Sequence, residues 1–266
     1  NAKECGFYGK TYNTTIKNLG IIDSYFAGFQ KVGGICGFAQ EGLSVENCYF
    51  QGKVHNQAFA GGIIGYILFG NNKITNSYFS GSVTDNKHNC GSLIGYSEEG
   101  HYTIVNCYYD NTKSPIGAIY MNDKPGMAMG KATEKFVNGE VAYLLSQGCS
   151  IDETAYDGSI WGQQLGTDTY PQFRKSKVYL ASNATNNCAN TSFSCSAFSN
   201  TEGSYTLQIT HDTPIYHEAV AATCKDGNVE YYECSYCHKT YEDEAMTKLI
   251  EDVVLKKHAH HDFGED

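Results

Sequence analysis

A short block that returns every 28–30 residues constrains this chain more than any other feature. Val32-Gly-Gly-Ile-Cys-Gly-Phe38 recurs as Ala60-Gly-Gly-Ile-Ile-Gly-Tyr66 and as Cys90-Gly-Ser-Leu-Ile-Gly-Tyr96, with a degenerate first copy at Gly6-Phe-Tyr-Gly9. A second string lies between the blocks: Ile16-Lys-Asn-Leu19, Val45-Glu-Asn-Cys48, Ile74-Thr-Asn-Ser77 and Ile104-Val-Asn-Cys107. Its asparagines step by 29, 29 and 30 residues. A weaker third string, Gly52-Lys-Val54 and Gly81-Ser-Val83, follows. Each unit therefore holds about three short strand-like pieces separated by turn residues. So thin a unit cannot bury its own apolar face, and successive units must stack. The period is shorter than the roughly 40–45 residues of a propeller blade and lacks the leucine grammar of leucine-rich repeats. No stretch of the repeat sustains a 3.6-residue period, which removes helical solenoids. The expected fold is all-β: a parallel β-solenoid, one unit per coil, with coils about 4.8 Å apart.

That geometry gives the repeated residues physical tasks. Gly37, Gly65 and Gly95 stand in every full copy and predict a corner needing positive φ or close backbone approach. Gly34 and Gly62 align with Ser92, so that site accepts a small side chain. Asn18, Asn47, Asn76 and Asn106 predict a ladder of amides at a left-handed bend. Tyr49, Tyr78 and Tyr108 predict an aromatic stack beside it, read as packing in preference to a sugar-binding strip. Cys48 and Cys107 share a ladder position two coils apart, roughly 9–10 Å. That exceeds disulfide reach, so they read as inert core thiols.

These blocks, together with Glu46-Asn-Cys-Tyr-Phe50, Thr75-Asn-Ser-Tyr-Phe79 and Val105-Asn-Cys-Tyr-Tyr109, resemble GLUG repeats. Such repeats occur in large bacterial surface proteins, including adhesins and the stalks of immunoglobulin-A-cleaving metallopeptidases. Residues 130–173 resemble the segment that often closes such an array. The resemblance covers roughly residues 6–180 and implies a right-handed parallel β-helix on the cell surface. From the residues themselves, 132–147 is the best helix, with Thr133 as its cap, Glu134 in its first turn and Gly148 as its end. Phe136, Val137, Val141, Leu144 and Leu145 form its apolar stripe. A solenoid end exposes strand edges and core, so this helix, Trp161 and the tail to Leu180 read as a plug. The predicted organisation is a β-helix over 1–180 (its cap about 120–180), a polar connector over 181–204, and a small Cys/His-rich β module over 205–266.

Within the Ser/Thr/Asn-rich connector, Cys188 and Cys195 could close a small disulfide loop or stand as free thiols. The module holds Cys234-Ser-Tyr-Cys237, with Cys224 ten residues upstream and several histidines. A Cys-x2-Cys turn can place two thiolates on one ion at about 2.3 Å, and Zn2+ then needs two more N or S ligands. The expected set is Cys224, Cys234, Cys237 and His258, with His217, His211 and His260 as alternative fourth ligands. A disulfide with one free thiol is the competing reading. Redox chemistry is disfavoured because no thioredoxin-like βαβ pattern surrounds the pair. The stretch also resembles a small module of gut Firmicutes surface proteins, which implies the same ligand types at Cys224, Cys234, Cys237 and His258. A module this small needs a staple, favouring a structural role for zinc.

The chain carries a net charge of −10, with one arginine, Arg174, among its 19 basic residues. Electrostatics therefore disfavour nucleic acid and anionic lipid as partners. No apolar run reaches the roughly 18–20 residues of a membrane span, and Asn1–Lys10 lacks the pattern of a signal peptide. Eleven cysteines cannot all pair within the chain. Aligned coils place Lys17, Glu46, Thr75 and Val105 in one row and Asp23, Gly52 and Gly81 in another, so no carboxylate repeats as a polysaccharide-cleaving solenoid requires. His217-Glu-Ala-Val-Ala221 starts like a zinc-peptidase helix but lacks its second histidine. The expectation is a non-catalytic structural or interaction segment of a secreted or cell-surface bacterial protein, adhesin-like or a stalk. Its partners would be other domains of a longer protein, and host glycans or proteins. The alternatives are a polysaccharide-acting β-helix enzyme or the non-catalytic stalk of a surface metallopeptidase.

Overall fold

In the computed structural model, four stacks of parallel strands wind through the first part of the chain. Residues 3–85, 89–98, 102–120, 128–148, 157–223 and 225–256 are described. The first stack is Glu4–Cys5, Lys31–Gly33, Phe59–Gly61 and Cys90–Gly91. The second is Tyr8–Tyr12, Cys36–Glu41, Ile64–Phe69 and Ile94–Ser97, and the third is Thr15–Lys17, Ser44–Glu46, Asn72–Thr75 and Tyr102–Val105. The fourth holds Gly20–Ala27, Tyr49–Asn56, Tyr78–Phe79, Ser82–Asp85, Cys107–Asp110 and Ala128–Lys131. This is the expected parallel solenoid, with four strands per coil where sequence suggested three. The glycine block supplies two of them, broken between Gly33 and Cys36 and again at the same place in the next coil.

Register follows the repeat. Ile16, Val45, Ile74 and Ile104 stand in one row, and all four are buried. Alternate residues point inward and outward along a strand. Phe50 and Phe79 stack inside the coil with centroids 5.9 Å apart, while their neighbours Tyr49 and Tyr78 stack at 5.1 Å and 2°. Of the two reasons offered for the invariant glycine, the structure selects close approach. A Cβ on Gly37, Gly65 or Gly95 would lie 2.4–2.7 Å from a backbone oxygen of the preceding coil. The asparagines, by contrast, take the left-handed bend: φ is 56° at Asn18, 50° at Asn47, 47° at Asn76 and 51° at Asn106. Asn106 donates its amide to Asn76 Oδ1 at 3.0 Å, a rung of the expected ladder. Cys48 and Cys107 are buried and form no disulfide. Burial pushes the Cys48 thiol up to about 12 and the Cys36 thiol up to about 11.

One coil row departs from the sequence alignment. The register slips between Ile22 and Ser24, so Ser24 and not Asp23 stands opposite Gly52, and Asp23 becomes the extra residue of a bulge at φ 49°. The cap differs too. The expected single helix is two, Thr133–Val137 and Glu140–Gln147, broken at Gly139 with φ 94°. Thr133 does not cap. The N-cap is Ala132, and the Thr133 hydroxyl donates instead to the buried carboxylate of Asp110. Gly148 ends the second helix as expected, its N–H reaching Leu144 O. Ala128–Lys131 adds one more strand beyond Cys107–Asp110. Trp161, Phe173, Phe136 and Tyr170 lie against Tyr49 and Tyr78, so the cap covers the outer flank of the coils. Tyr78 is fully buried there and donates to Pro171 O, which makes the tyrosine row packing and leaves no open strip.

The chain divides into two compact units, Asn1–Ser182 with Cys195–Tyr205, and Asn183–Ser194 with Thr206–Asp266. The predicted connector is thus shared between them. In the second unit, Ala184–Asn187 pairs in parallel with Leu207–Thr210. Pro214–His217, Tyr231–Cys234, Thr240–Tyr241 and Leu249–Ile250 form an antiparallel sheet, and Gly227–Asn228 pairs with Val254–Leu255. Among the described residues, no helix is long and apolar enough to cross a membrane.

Candidate metal centre

Two parallel strands of the second unit end side by side, and each is followed by a residue of a type that can ligate a metal. Asn187 stands opposite Thr210 in the register, so Cys188 and His211 emerge together, with the Cys188 N–H bonded to Thr210 O at 2.9 Å. Three residues after His211 the chain enters Pro214–His217, whose Pro214 stands opposite Cys234. Cys234 then opens a tight turn. The His238 N–H returns to Cys234 O at 3.0 Å and His238 itself sits at φ 56°. That turn holds Cys237. Sequence-distant residues are thereby gathered into one cluster, Cys188, His211, Cys234 and Cys237, whose ligand atoms all lie within 4.8 Å of one another.

The distances suit one tetrahedral ion. Bonds of about 2.3 Å to sulfur and 2.0–2.1 Å to nitrogen place two sulfurs about 3.8 Å apart, and sulfur and nitrogen about 3.6 Å apart. Cys188 Sγ and Cys234 Sγ are 3.7 Å apart, and Cys237 Sγ lies 3.5 Å from His211 Nδ1. The other imidazole nitrogen, Nε2, is 2.8 Å from the Tyr241 hydroxyl. A histidine that ligates through one nitrogen commonly hands its remaining N–H to such an oxygen, which fixes ring and tautomer. Tyr241 is itself buried and packs with Cys234 and Met246, with Cys188 and Cys237 against them.

Electrostatics prepare one of the thiols. Burial pushes Cys234 up, but the backbone N–H groups of Cys237, Tyr236 and Asp212 outweigh it and hold the thiol down at about 6. Burial and the neighbouring Cys234 push Cys188 up to about 11. One thiolate therefore exists near neutrality, and the second forms when a cation compensates its charge. Four such side chains can fill the four positions of one tetrahedral ion.

Of the sequence-predicted ligands, Cys234 and Cys237 are brought together, and the alternative His211 joins them. Cys224, His258 and His260 lie outside the described residues. His217 is engaged elsewhere, stacked on Tyr231 at 4.4 Å with its Nε2 3.1 Å from Glu233. Cys188, read in sequence as part of the connector, is the member of the cluster that sequence reasoning missed. Cys188 and Cys195 are both free thiols and belong to different units. The available signal was the matched pair of strand ends, Ala184-Thr-Asn-Asn-Cys188 and Leu207-Gln-Ile-Thr-His211. No family model, curated protein or solved structure matches this chain.

Proposed function

We propose that this chain is a non-catalytic structural and interaction segment of a bacterial cell-surface protein, a stalk or adhesin-like piece, with zinc stapling its second unit. The coil register carries the reading. Lys17, Glu46, Thr75 and Val105 form one row in which no carboxylate repeats, and a Lys17–Glu46 ion pair at 2.6 Å occupies part of it. The bulge removes Asp23 from the neighbouring row. What repeats from coil to coil is apolar interior, glycine and asparagine, which are residues of stacking and not of acid–base chemistry. Zinc is favoured for the Cys3His set because borderline-soft ligands in a closed tetrahedron suit it.

Three measurements test the proposal. Membrane-impermeant biotin applied to intact cells that make a protein with this sequence should label it, and incubation with soluble polysaccharides should release no shorter sugars. An unlabelled protein or a released sugar overturns the reading. Native mass spectrometry of the whole chain should find one zinc per chain, lost with chelator. A metal-free chain two hydrogens light at Cys188 and Cys234 would replace zinc by a disulfide.

A further inference from the structure

An open trough of about 1190 Å³ lies on the flank of the solenoid, between the bend of its fourth stack and residues 167–172. Its floor is set by register. Ser24 stands opposite Gly52, and Tyr25, Lys53 and Ser82 form one row. That row crosses two strand spacings, about 9–10 Å. The bulge adds Asp23 to the lining, a common use of an extra strand residue. Thr167, Asp168, Thr169 and Gln172 supply the facing wall.

Three observations identify what such a surface fits. Its charges balance, two carboxylates (Asp23, Asp168) against two ammonium groups (Lys53, Lys113), so the lining selects neither polyanion nor polycation. Hydroxyls and carboxamides make up much of the remaining polar lining, offering donors and acceptors at fixed positions beside the ring of Tyr25, which is 63 % exposed. Ser80, only 3 % exposed, is among the lining residues, and its hydroxyl, buried beneath the trough surface, has no hydrogen-bond partner among the described residues. A buried polar atom of that kind calls for one.

We propose that this trough binds a neutral oligosaccharide, with a pyranose ring on Tyr25 and sugar hydroxyls on the Ser, Thr and Gln groups. The inference deepens the reading of the chain as an interaction segment and rests on it.

The test uses the whole chain in isothermal titration with soluble hexasaccharides of glucose, mannose and xylose, and with hexagalacturonate as the acidic probe. At least one neutral probe should bind and hexagalacturonate should not. Tyr25→Ala should weaken binding about tenfold. Thr169→Arg, at an exposed wall position, should abolish it by filling the trough, with both variants keeping the parent circular dichroism and Tm. Neutral probes that all fail to bind, preference for hexagalacturonate, or unchanged affinity in both variants each overturn the trough while leaving the surface-labelling result intact. Breakdown of a bound hexasaccharide supports the trough and overturns the non-catalytic reading.

Discussion

Four asparagines turn the same corner in successive coils, but they do not carry equal weight. Asn18 is exposed, whereas Asn76 is 1 % exposed and accepts the amide of Asn106. A left-handed φ costs an ordinary L-residue about 1–2 kcal/mol. Leaving a buried partner unsatisfied costs about 1–3 kcal/mol more. Asn76→Ala should therefore lower unfolding free energy by about 3 kcal/mol. Asn18→Gly, which keeps the bend and removes only an exposed amide, should change it by less than about 0.5 kcal/mol. Urea titration of the two variants measures both, and a loss of only about 1–2 kcal/mol in Asn76→Ala would show that the side-chain ladder contributes nothing beyond the bend. The bend was legible because asparagine is one of few residues that accept it. The cause of the glycine at Gly65 was only half legible. A repeated glycine says that a Cβ does not fit, but not whether torsion or a neighbouring backbone forbids it.

At the scale of elements, the repeat specified strands and register well and the closing segment poorly. Phe136, Val137, Val141, Leu144 and Leu145 fit one helical stripe, yet Val137 is 45 % exposed because the helix stops at Asn138 and restarts at Glu140. Tertiary partners made that choice. The Asp110 carboxylate takes the Thr133 hydroxyl, and Glu140 is buried between Lys131 and Lys135, at 2.8 and 3.1 Å. Local pattern carries no information about such partners. Asp23 is a similar case, since its bulge moves the inward positions from Ile21 to Ser24 and Phe26, a one-residue phase shift that so short a strand does not reveal in its pattern. Gly139 is a position where the cap resists substitution. Its φ is 94°, and a Cβ would come within 2.7 Å of Leu165 and 3.0 Å of Val178. Gly139→Ala should therefore cost about 2 kcal/mol or more, combining backbone strain with displacement of packed side chains. Continuing the helix through 138–139 would avoid the strain, so a variant as stable as the parent would refute the break as a packing requirement. Thermal unfolding followed by circular dichroism distinguishes the outcomes.

At the scale of the whole molecule, two units rest on different sources of stability. The solenoid has a continuous buried core from Ile16 to Ala128, each large side chain contributing about 1.5–3 kcal/mol by burial. Among the described residues, the buried apolar cluster beside the candidate metal centre is Cys234, Tyr241 and Met246, with Cys188 and Cys237 packed against it. For a cluster that small, affinity for an ion there would be folding free energy. Calorimetry of the intact chain should resolve two transitions. Chelator should abolish or strongly lower one and leave the other within about 2 °C, because an ion held only by the second unit stabilises only that unit. Cys188→Ser should reproduce the chelator's effect with metal present, while Cys195→Ser should not, although sequence treated the two cysteines alike. If chelator moved both transitions, or if Cys188→Ser kept its metal and its transition, the four-residue set would be wrong, and with it the assignment of Cys188 to the second unit's stability.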